Sequence, residues 1–543
     1  MIGLLHGYHL EGSGSNLWTR YMAQALCRQG ETLHLICQED HPERFDFIAE
    51  AYRYAADGSV IPLLRRDTPY PGRCILHQPE LVDILPVYVA YRSLKRSRAV
   101  PMVELSDEKI EEYLQINTRV VHKVVEKFNI TVLHANHAVL QSVVAERVSK
   151  ATAIPFAIMP HGSAIEYVVK QDPRFLRLAS EAFAAAQAIL FVGPEMKQRL
   201  IQEFSSVPGL KGKLRGLNLG VDTDLFKPIQ RHLRNETIQS LLEKLVGVPR
   251  GKTPGHWVQL TEKLSANITE KEFKHALLLA SPEKKMVPDE DIVEKLEPVD
   301  WEQEKILLFV GRLIANKGLP ALIAALPLIL EQTPQARLLV VGHGPLREVM
   351  EAWLWALGQG EQRLMEKFVR WGSPHEDTSP EPFQEVLNFF QSLERRGELA
   401  QYFGKAKKVL HADRVLFLGY LEHALLRYLF PCGDVAIFPS VIPEAGPLVF
   451  LEALASGCFP IGTYFGGMAA SIDSVSEILP QGEGEWMKIS ARPEETVADL
   501  AHKVPVALGI GDRHRQILRQ VAEERYDWSG IAKNWSTLLH SLA

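Results

Sequence analysis

Two cations with the spacing of a phosphate clamp follow an apolar segment in the second half of the chain. Arg312 and Lys317 stand five residues apart in the sequence GRLIANKG, directly after residues 305–310. A guanidinium can bind two phosphate oxygens at once, and an ammonium adds a mobile point charge. Ligands of open parallel sheets bind at the carboxyl ends of the strands. The pair therefore suits a diphosphate, although an exposed loop with two solvated bases is the alternative.

Two glutamates in EAGPLVFLE form a second candidate pair. Glu444 and Glu452 are eight residues apart, and the apolar run 448–456 between and beyond them predicts a helix. One carboxylate would then lie in the loop before the helix and the other within it. Both can accept hydrogen bonds from hydroxyl groups, one from a sugar and the other from a ribose. The alternative is a helix-capping acid and an unrelated surface acid.

A glycine-rich turn near the start of the chain is a weaker signal. Gly12 and Gly14 lie in GSGS, between an apolar segment at 2–6 and a helical pattern at 17–28. Such a turn lets backbone amides and a helix N-terminus approach a phosphate closely. The motif is not a complete GxGxxG, and no acidic residue clearly takes the ribose role of a dinucleotide site. A plain flexible turn remains an equal alternative.

Three histidines lie at or near the ends of predicted strands. His161 follows the apolar segment 154–159 and a proline, and His134 and His137 lie in LHANH. A lone histidine in such a position is more often structural than catalytic. We expect a structural or acceptor-facing role for His134 and His137.

Apolar segments alternate with helical patterns in both halves of the chain. This alternation predicts parallel, doubly wound α/β sheets, and 543 residues are enough for two large domains. The predicted domains are 1–225 and 305–525, with 226–304 as an insertion or linker and 357–413 as a second insertion. The predicted strands are 2–6, 33–37, 131–134, 154–159 and 188–192 in the first domain, and 305–310, 337–341, 414–419, 435–439 and 459–462 in the second.

Composition narrows the function classes. The chain is 46% hydrophobic and carries a formal net charge of -6, so it offers no basic field for nucleic acid. No run of 18 apolar residues and no signal-peptide pattern are present, which predicts a cytoplasmic protein. Five scattered cysteines without a CxxC pair predict reduced thiols and no structural zinc site.

Taken in order, these motifs resemble the family 4 retaining glycosyltransferases of the GT-B fold, which include glycogen-synthase-like and phosphatidylinositol-mannosyltransferase-like enzymes. The resemblance covers most of both predicted domains but not the two insertions. Its motifs are the glycine loop at 12–14, HG at 161–162, GVDTDLFKP at 220–228, GR with Lys317, VGHGPL at 341–346, FLG at 417–419, PS at 439–440, the E-x7-E pair with ALASG after it, and GG at 466–467.

The resemblance implies two Rossmann-like domains facing a central cleft, with a C-terminal helix at about 526–543 crossing back onto the first. Arg312 and Lys317 would hold the donor diphosphate and neutralise it in place of a metal, and Gly14 would add an amide. Glu444 would hold sugar hydroxyls, Glu452 the ribose, and His161 would sit beside the donor sugar. The remaining residues implied to bind the nucleotide sugar are Gly12, Gly311, Gly342, Gly419, Leu448 and Val449.

The implied activity is transfer of a hexose from a UDP-, GDP- or ADP-sugar to an acceptor hydroxyl, with retention and without metal or cofactor. A non-catalytic sugar-nucleotide-binding protein is the alternative from another class, and a sugar-nucleotide 2-epimerase is a less favoured one. A nicotinamide oxidoreductase has only GSGS to support it. At Pro447, where the backbone has no N–H, an amide donor to the sugar is lost, which leaves donor identity open.

The acceptor would be a carbohydrate, a lipid or a small molecule bound mainly by the first domain. The basic run from Arg92 to Arg98 could attract an anionic acceptor or an acidic membrane surface, although a solvated basic helix end is the alternative. The predicted location is therefore cytoplasmic, with peripheral contact to the inner face of the membrane as a second interpretation. The oligomeric state and the roles of the insertions stay open.

Overall fold

The chain divides into two compact units. A computed structural model describes residues 1–12, 14–81, 84–88, 99–282, 286–372, 383–443 and 446–543. The first unit comprises 1–220 and 525–543, and the second comprises 221–524. The segment 226–304 falls within the second unit.

The first unit is built on one large sheet. Among the described residues it has nine strands in the order β11-β10-β9-β8-β1-β2-β5-β3-β4, and β6 and β7 pair separately. Every neighbouring pair in the large sheet is parallel except β3 and β4. The strands are β1 Ile2–Leu5, β2 Thr32–Ile36, β3 Ile48–Tyr54, β4 Val60–Arg65, β5 Arg73–Pro79, β6 Leu85–Val87, β7 Ala99–Pro101, β8 Val132–Asn136, β9 Phe156–Met159, β10 Ala188–Phe191 and β11 Leu214–Gly216.

Helices connect β1 to β2 and connect the strands from β7 to β11. The helices are α1 Gly14–Arg28, α2 Asp107–Phe128, α3 Gln141–Thr152, α4 Gly162–Ala164, α5 Pro173–Ala185, α6 Gly193–Glu203 and α7 Leu210–Lys213. Helix α2 shows how local sequence sets their ends: the Ser106 side chain accepts a hydrogen bond from the amide of Lys109, and Asn129 ends the helix in the left-handed conformation (φ 52°).

The second unit has a six-stranded, all-parallel sheet among its described residues, in the order β14-β13-β12-β15-β16-β17. Because β12 is the first of these strands, the chain winds outward from it in both directions. This is the doubly wound order of nucleotide-binding domains, with its switch point between β12 and β15. The strands are β12 Lys305–Val310, β13 Ala336–Val341, β14 Val415–Gly419, β15 Val435–Phe438, β16 Phe459–Thr463 and β17 Lys488–Ile489.

The remaining helices cover this sheet, fill both insertions and end the chain. They are α8 Arg234–Lys244, α9 Pro254–Thr261, α10 Glu270–Leu279, α11 Ile292–Leu296, α12 Leu319–Gln332, α13 Arg347–Gln359, α14 Gln362–Trp371, α15 Gln384–Arg396, α16 Leu399–Val409, α17 Leu426–Leu429, α18 Leu448–Ala455, α19 Gly466–Ser476, α20 Thr496–Tyr526 and α21 Trp528–His540. None of the helices in the described ranges is long and apolar enough to cross a membrane.

The C-terminal helix α21 packs in the first unit. Its buried residues Trp528 and Trp535 belong to the same hydrophobic cluster as Trp18 and Met22 of α1. Burying aromatic side chains of this size contributes strongly to the stability of a core. Helix α21 is thus part of the first unit's core, although residues 221–524, which separate it in sequence from the rest of that unit, build the second unit.

A buried ion pair fixes the start of the 226–304 segment to the second sheet. Arg234 is fully buried and donates to the carboxylate of Asp434 over 3.0 and 3.2 Å. Asp434 also accepts a 2.7 Å hydrogen bond from the amide of Ile306, at the start of β12. A buried charge must be paired to be tolerated, so this segment is bound to the sheet rather than loosely attached.

The predicted fold class is confirmed: both units are α/β with doubly wound, mainly parallel sheets. The predicted strands of both domains are present within one to two residues at most ends. Strands β3 to β7, β11 and β17 were not predicted. Charged and prolyl residues interrupt the apolar runs there, as in VIPLLR of β4.

Candidate active site

Three of the predicted nucleotide-binding glycines meet at the carboxyl edge of the second sheet. The amide of Gly342 donates to the carbonyl of Gly419 over 2.8 Å, and the amide of Gly311 donates to the carbonyl of Val341 over 3.0 Å. A Cβ atom on Gly342 would lie 1.8 Å from the carbonyl oxygen of Gly311, at a φ of +146°. Glycine is therefore required for these loops to approach one another.

The loop that carries the two cations is held on one side by the loop after β13. The amide of Leu313 donates to the carbonyl of His343 over 2.8 Å, and the amide of Leu346 donates to the carbonyl of Leu313 over 3.0 Å. These bonds fix the backbone directly after Arg312. The loop after β13 therefore sets the point from which the Arg312 side chain extends.

On the other side the same loop meets the segment after β15. The carbonyl of Asn316 accepts hydrogen bonds from the Ser440 hydroxyl (2.9 Å) and from the Val441 amide (3.0 Å). Gly318 has a φ of +73°, and a Cβ atom there would lie 1.8 Å from the carbonyl oxygen of Pro439. The loop containing Lys317 thus bridges β12 and β15 at the topological switch point.

This placement gives the loop an electropositive character. Arg312 is exposed and Lys317 is half-buried, in a short 3-10 turn (Ala315–Lys317) immediately before α12. The first amides of α12 add the partial positive charge of a helix N-terminus. Two cations and a helix N-terminus at the carboxyl edge form an arrangement that can bind a diphosphate.

The second predicted glutamate is buried beside an unpredicted histidine. Glu452 in α18 is 3% exposed, and its Oε1 is in close contact with Nε2 of His423. Within the described ranges, Oε2 of Glu452 has no hydrogen-bond partner, so this oxygen can accept a hydroxyl. The only signal for His423 in the sequence was its position four residues after a predicted strand end.

Leu448 and Val449 lie in the first turn of α18, after Pro447 at the N-cap position. The first amides of a helix have no partner within the helix, so the turn offers donors to a ligand. Glu444, predicted to hold sugar hydroxyls, lies outside the described residues, as does the basic run 92–98.

The glycine loop of the first unit opens helix α1. Gly12 has a φ of +102°, and Gly14 is the first residue of α1. A Cβ atom at either position would meet no atom within 4 Å among the described residues. Packing does not require glycine at position 14, and the open space allows a ligand to approach the amide of Gly14 closely.

Asn136, which was not predicted, connects His161 to the start of α1. Its Oδ1 accepts from Nε2 of His161 and of His134, each over 3.2 Å. Its Nδ2 donates to the hydroxyl of Thr19 over 2.9 Å. Thr19 in turn lies 3.1 Å from Nδ1 of His6. Because an amide oxygen can only accept, His161 presents Nε2–H to Asn136 and keeps Nδ1 as an acceptor.

His137 has an unusual environment beside His161. It is buried with a φ of +74°, and its ring lies 4.8 Å from the rings of both His161 and Tyr88. Neither of its ring nitrogens has a hydrogen-bond partner within the described residues. Strained backbone and unsatisfied buried polar atoms concentrate at functional sites, which favours the acceptor-facing interpretation of His137.

His134, stacked on Trp18 and bonded to Asn136, fits a structural role.

Burial keeps these imidazoles uncharged. Desolvation lowers the pKa of His6 and of His134 to about 4. Desolvation, with the neighbouring rings of His6 and His134, lowers the pKa of His161 to about 3. At neutral pH the cluster therefore supplies hydrogen-bond donors and acceptors rather than positive charge.

Among the described residues, neither a disulfide nor a cluster of metal-binding side chains contributes to the site. All five cysteines are buried free thiols. Within the described ranges, no three His, Cys, Asp or Glu side chains are grouped so that they could hold a metal ion.

Parts of the second unit are similar to known glycosyltransferases. Residues 292–376 and residues 394–503 match two family models, each described as "Glycosyl transferases group 1". An uncharacterized glycosyltransferase of Methanocaldococcus jannaschii is 26% identical over 233 residues, which is 43% of this chain and 44% of the relative. The gpi3 subunit of phosphatidylinositol N-acetylglucosaminyltransferase of Schizosaccharomyces pombe is 23% identical over 263 residues, 47% of this chain and 43% of the relative.

The alignments thus span less than half the length of these curated relatives. Among solved structures, sucrose-phosphate synthase from Thermosynechococcus elongatus superposes with a TM-score of 0.54 at 16% identity, covering 100% of this chain and 98% of that one. The predicted resemblance is confirmed at the level of fold and group, while membership of family 4 stays a prediction. The chain has the GT-B fold, and two segments of its second unit are similar to the group 1 glycosyl transferases.

Proposed function

We propose that this protein is a glycosyltransferase that moves a hexose from a nucleoside-diphosphate sugar, of UDP, GDP or ADP, to a hydroxyl of a carbohydrate, lipid or small-molecule acceptor. The observation that carries the proposal is the interlocking of the loops of Gly311, Gly342 and Gly419 at the carboxyl edge of a doubly wound sheet, with Arg312 and Lys317 in the first of them. The names of the relatives support the same class of reaction.

In this proposal the donor lies along the edge of the second sheet. Arg312 and Lys317 bind the diphosphate, and the free Oε2 of Glu452 accepts a ribose hydroxyl. Gly14 of the first unit offers its amide to the same diphosphate, and Glu444 holds hydroxyls of the donor sugar.

The transfer breaks the bond between C1 of the sugar and the diphosphate oxygen and forms one between C1 and the acceptor oxygen. We propose that the acceptor attacks from the face that the diphosphate leaves, so that the anomeric configuration is retained. The acceptor's proton passes to the departing phosphate oxygen. Arg312 and Lys317 neutralise the charge that develops there, so neither a protein base nor a metal ion takes part.

His161 acts in the proposal as a neutral hydrogen-bonding group. Asn136 holds its Nε2–H, which leaves Nδ1 to accept a hydrogen bond from the donor sugar or the acceptor. Since its pKa is about 3, the ring does not serve as a general acid near neutral pH.

A thermal-shift panel of UDP, GDP, ADP and their sugars, in the presence of a chelator, tests the donor site. At one hundred times Kd, a bound ligand stabilises the protein by about 2.7 kcal/mol, which is measurable as a rise in Tm. We expect one nucleotide class to raise the Tm of the wild type and of Arg395→Ala, an exposed arginine on α15, but not of Arg312→Ala. No rise with any nucleotide would contradict the proposal.

Turnover separates a transferase from the two alternatives. We expect slow hydrolysis of the donor that binds, releasing the nucleoside diphosphate and free sugar. Binding without hydrolysis or transfer to any acceptor would indicate a non-catalytic sugar-nucleotide-binding protein. Appearance of the C2 epimer of the donor by NMR would indicate an epimerase. A covalent glycosyl adduct on Glu444 would contradict the same-face mechanism.

A further inference from the structure

The segment 226–304, called here the inserted segment, lies against the donor site loop that follows β14. The amide of Asp289 donates to the carbonyl of Leu418 over 3.0 Å, and the amide of Tyr420 donates to the carbonyl of Val287 over 3.0 Å. Pro288 and Gly419 form an antiparallel bridge between these bonds. The inserted segment therefore pairs with the edge strand at the point where that strand turns into the loop.

The pairing requires the glycine at 419. Gly419 has a φ of +76°, and a Cβ atom there would lie 2.6 Å from the amide nitrogen of Asp289 and 2.7 Å from the carbonyl oxygen of Val287. The carbonyl of Gly419 also accepts the hydrogen bond from the amide of Gly342. Gly419 therefore contacts the inserted segment with one part of its backbone and Gly342 with another.

The carboxylate of Asp289 anchors this contact. Asp289 is 1% exposed and accepts from the guanidinium of Arg347 over 2.7 and 3.3 Å. It also accepts from Nζ of Lys295 over 2.6 Å, and the same ammonium donates to the carbonyl of Phe417 over 2.9 Å. The Arg347 guanidinium lies over the ring of Phe417, 4.5 Å from its centre. Asp289 thus holds two cations that both contact the end of β14.

The charge network continues into α13 and back to the inserted segment. Nε of Arg347 donates to Glu351 over 2.9 Å, and Lys252 contacts Glu351 over 2.6 Å and Glu348 over 3.2 Å. Although burial raises the pKa of Glu351, Lys252 and Arg347 lower it to about 2, so this carboxylate stays ionised. Removing one member of a buried network leaves its partners unpaired, which displaces them.

The loop held in this way adjoins the nucleoside end of the proposed donor site. Tyr420 follows Gly419 and packs edge-on against His343, with ring centres 5.4 Å apart. His423, in the same loop, contacts Glu452, the residue proposed to bind the ribose. The diphosphate cations, in contrast, lie in the loop after β12.

We propose that Asp289 is a positioning residue for the nucleoside of the donor, through which the inserted segment sets the geometry of the loop 419–423. This inference rests on the proposed function, since it assumes that the edge of the second sheet binds a nucleoside diphosphate. Asp289 itself does not contact the ligand; it acts through Gly419 and the end of β14.

Calorimetric titration of the full chain tests the inference with two probes, the nucleoside diphosphate that stabilises the wild type and inorganic pyrophosphate. For Asp289→Asn we expect the Kd of the nucleoside diphosphate to rise on the order of tenfold, because a displaced binding loop loses its contacts. We expect the Kd of pyrophosphate to stay within about twofold, since its cations lie on another loop.

Glu304→Gln is the matched control. Glu304 pairs with the buried Arg337 over 2.5 and 2.9 Å at the amino edge of the same sheet. The Glu304→Gln substitution should lower the Tm of the protein as Asp289→Asn does, without changing the Kd of either probe. The inference is overturned if Asp289→Asn and Glu304→Gln lose the same affinity for the nucleoside diphosphate. It is also overturned if Asp289→Asn loses the same affinity for both probes, because either result would show a merely structural role.

Lys295→Met is a milder second variant, since it removes the bond to Phe417 but leaves Asp289 paired with Arg347. If Asp289→Asn does not fold, Lys295→Met decides. A threefold or greater rise in its Kd for the nucleoside diphosphate supports the inference, and an unchanged Kd overturns it. A wild type that binds no nucleoside diphosphate would overturn the proposed function as well. Normal wild-type binding with unchanged variants would overturn this inference alone.

Discussion

The imidazole of His423 contacts the buried carboxylate of Glu452, joining the loop after β14 to helix α18. Nε2 of His423 meets Oε1 of Glu452, while Oε2 has no hydrogen-bond partner among the described residues. The contact therefore fixes Oε1 of Glu452, and through the rigid carboxylate it also fixes the direction in which Oε2 points. The ring of His423 is itself supported by Phe226, 5.8 Å away in an edge-on arrangement.

Replacement of His423 should weaken donor binding although this residue is not expected to touch the diphosphate. In His423→Ala the carboxylate of Glu452 loses its partner, and a hydrogen bond to a charged group contributes about 1.5–3 kcal/mol. We expect the Kd of the nucleoside diphosphate, measured by calorimetry, to rise on the order of tenfold, and Glu452→Gln to have a similar effect. The exposed His411→Ala should bind as the wild type does. An unaltered Kd in His423→Ala would argue against a role in orienting Glu452.

Alanine at Gly318 should disrupt the loop that carries the two cations. The left-handed conformation costs an alanine about 1 kcal/mol, and the Cβ atom would also collide with the carbonyl of Pro439. We expect a lower free energy of unfolding in urea and weaker pyrophosphate binding. Gly404→Ala is the control: Gly404 lies in α16 with open space around it, so alanine should stabilise the protein by about 0.5–1 kcal/mol. The prediction fails if the two substitutions shift stability in the same direction.

The buried histidines predict acid sensitivity of the first unit. Burial lowers the pKa of His134 to about 4, whereas the unfolded chain takes up this proton near pH 6.5. Between these values the unfolded state binds more protons, so stability is full above pH 6.5 and falls as pH is lowered toward 4. The loss is about 1.4 kcal/mol per pH unit for each such histidine.

Urea unfolding at several pH values between 7 and 4.5 measures this dependence. His134→Gln should reduce the slope by about 1.4 kcal/mol per pH unit, because one titrating group is removed while an amide can still bond to Asn136. The exposed His411→Ala should leave the slope unchanged. Equal slopes for the wild type and His134→Gln would show that His134 titrates normally in the folded protein.

Gly220 should tolerate no side chain. A Cβ atom there would lie 2.2 to 2.6 Å from ring atoms of Trp528, at the residue that ends the first unit's main segment. Gly220→Ala should cost about 1–3 kcal/mol by overpacking. Gly530→Ala on α21, where a Cβ atom meets nothing within 4 Å among the described residues, should be neutral or stabilising.

A double-mutant cycle with Trp528→Phe checks the stated cause. The smaller ring should relieve the collision, so the double variant should lose less stability in urea than the sum of the two single changes. Strict additivity would mean that the loss in Gly220→Ala has another origin.

Local sequence was sufficient for the strands of apolar residues, for the helices that follow them and for the loops that carry the site. Apolar runs such as ILLFV in β12 mark strands that are buried on both faces, and this signal needs no knowledge of distant residues. Gly311, Gly342 and Gly419 were predicted as binding residues from the family resemblance of the motifs that contain them. Strands β3 to β5 were missed because polar residues and a proline interrupt their patterns. In the folded sheet β5 pairs with β2, β3 with β5, and β4 with β3.

The contacts between distant residues depend on tertiary structure alone. Nothing near His423 indicates that its partner is Glu452, and nothing near Asp289 indicates that Arg347 and Lys295 surround it. Asn136 likewise acquires its role only because β1, α1 and β9 bring His6, Thr19 and His161 around it. The side-chain pattern of a strand or helix is local, whereas the partner of a buried charge or amide is whichever group the folded chain places within about 3 Å of it.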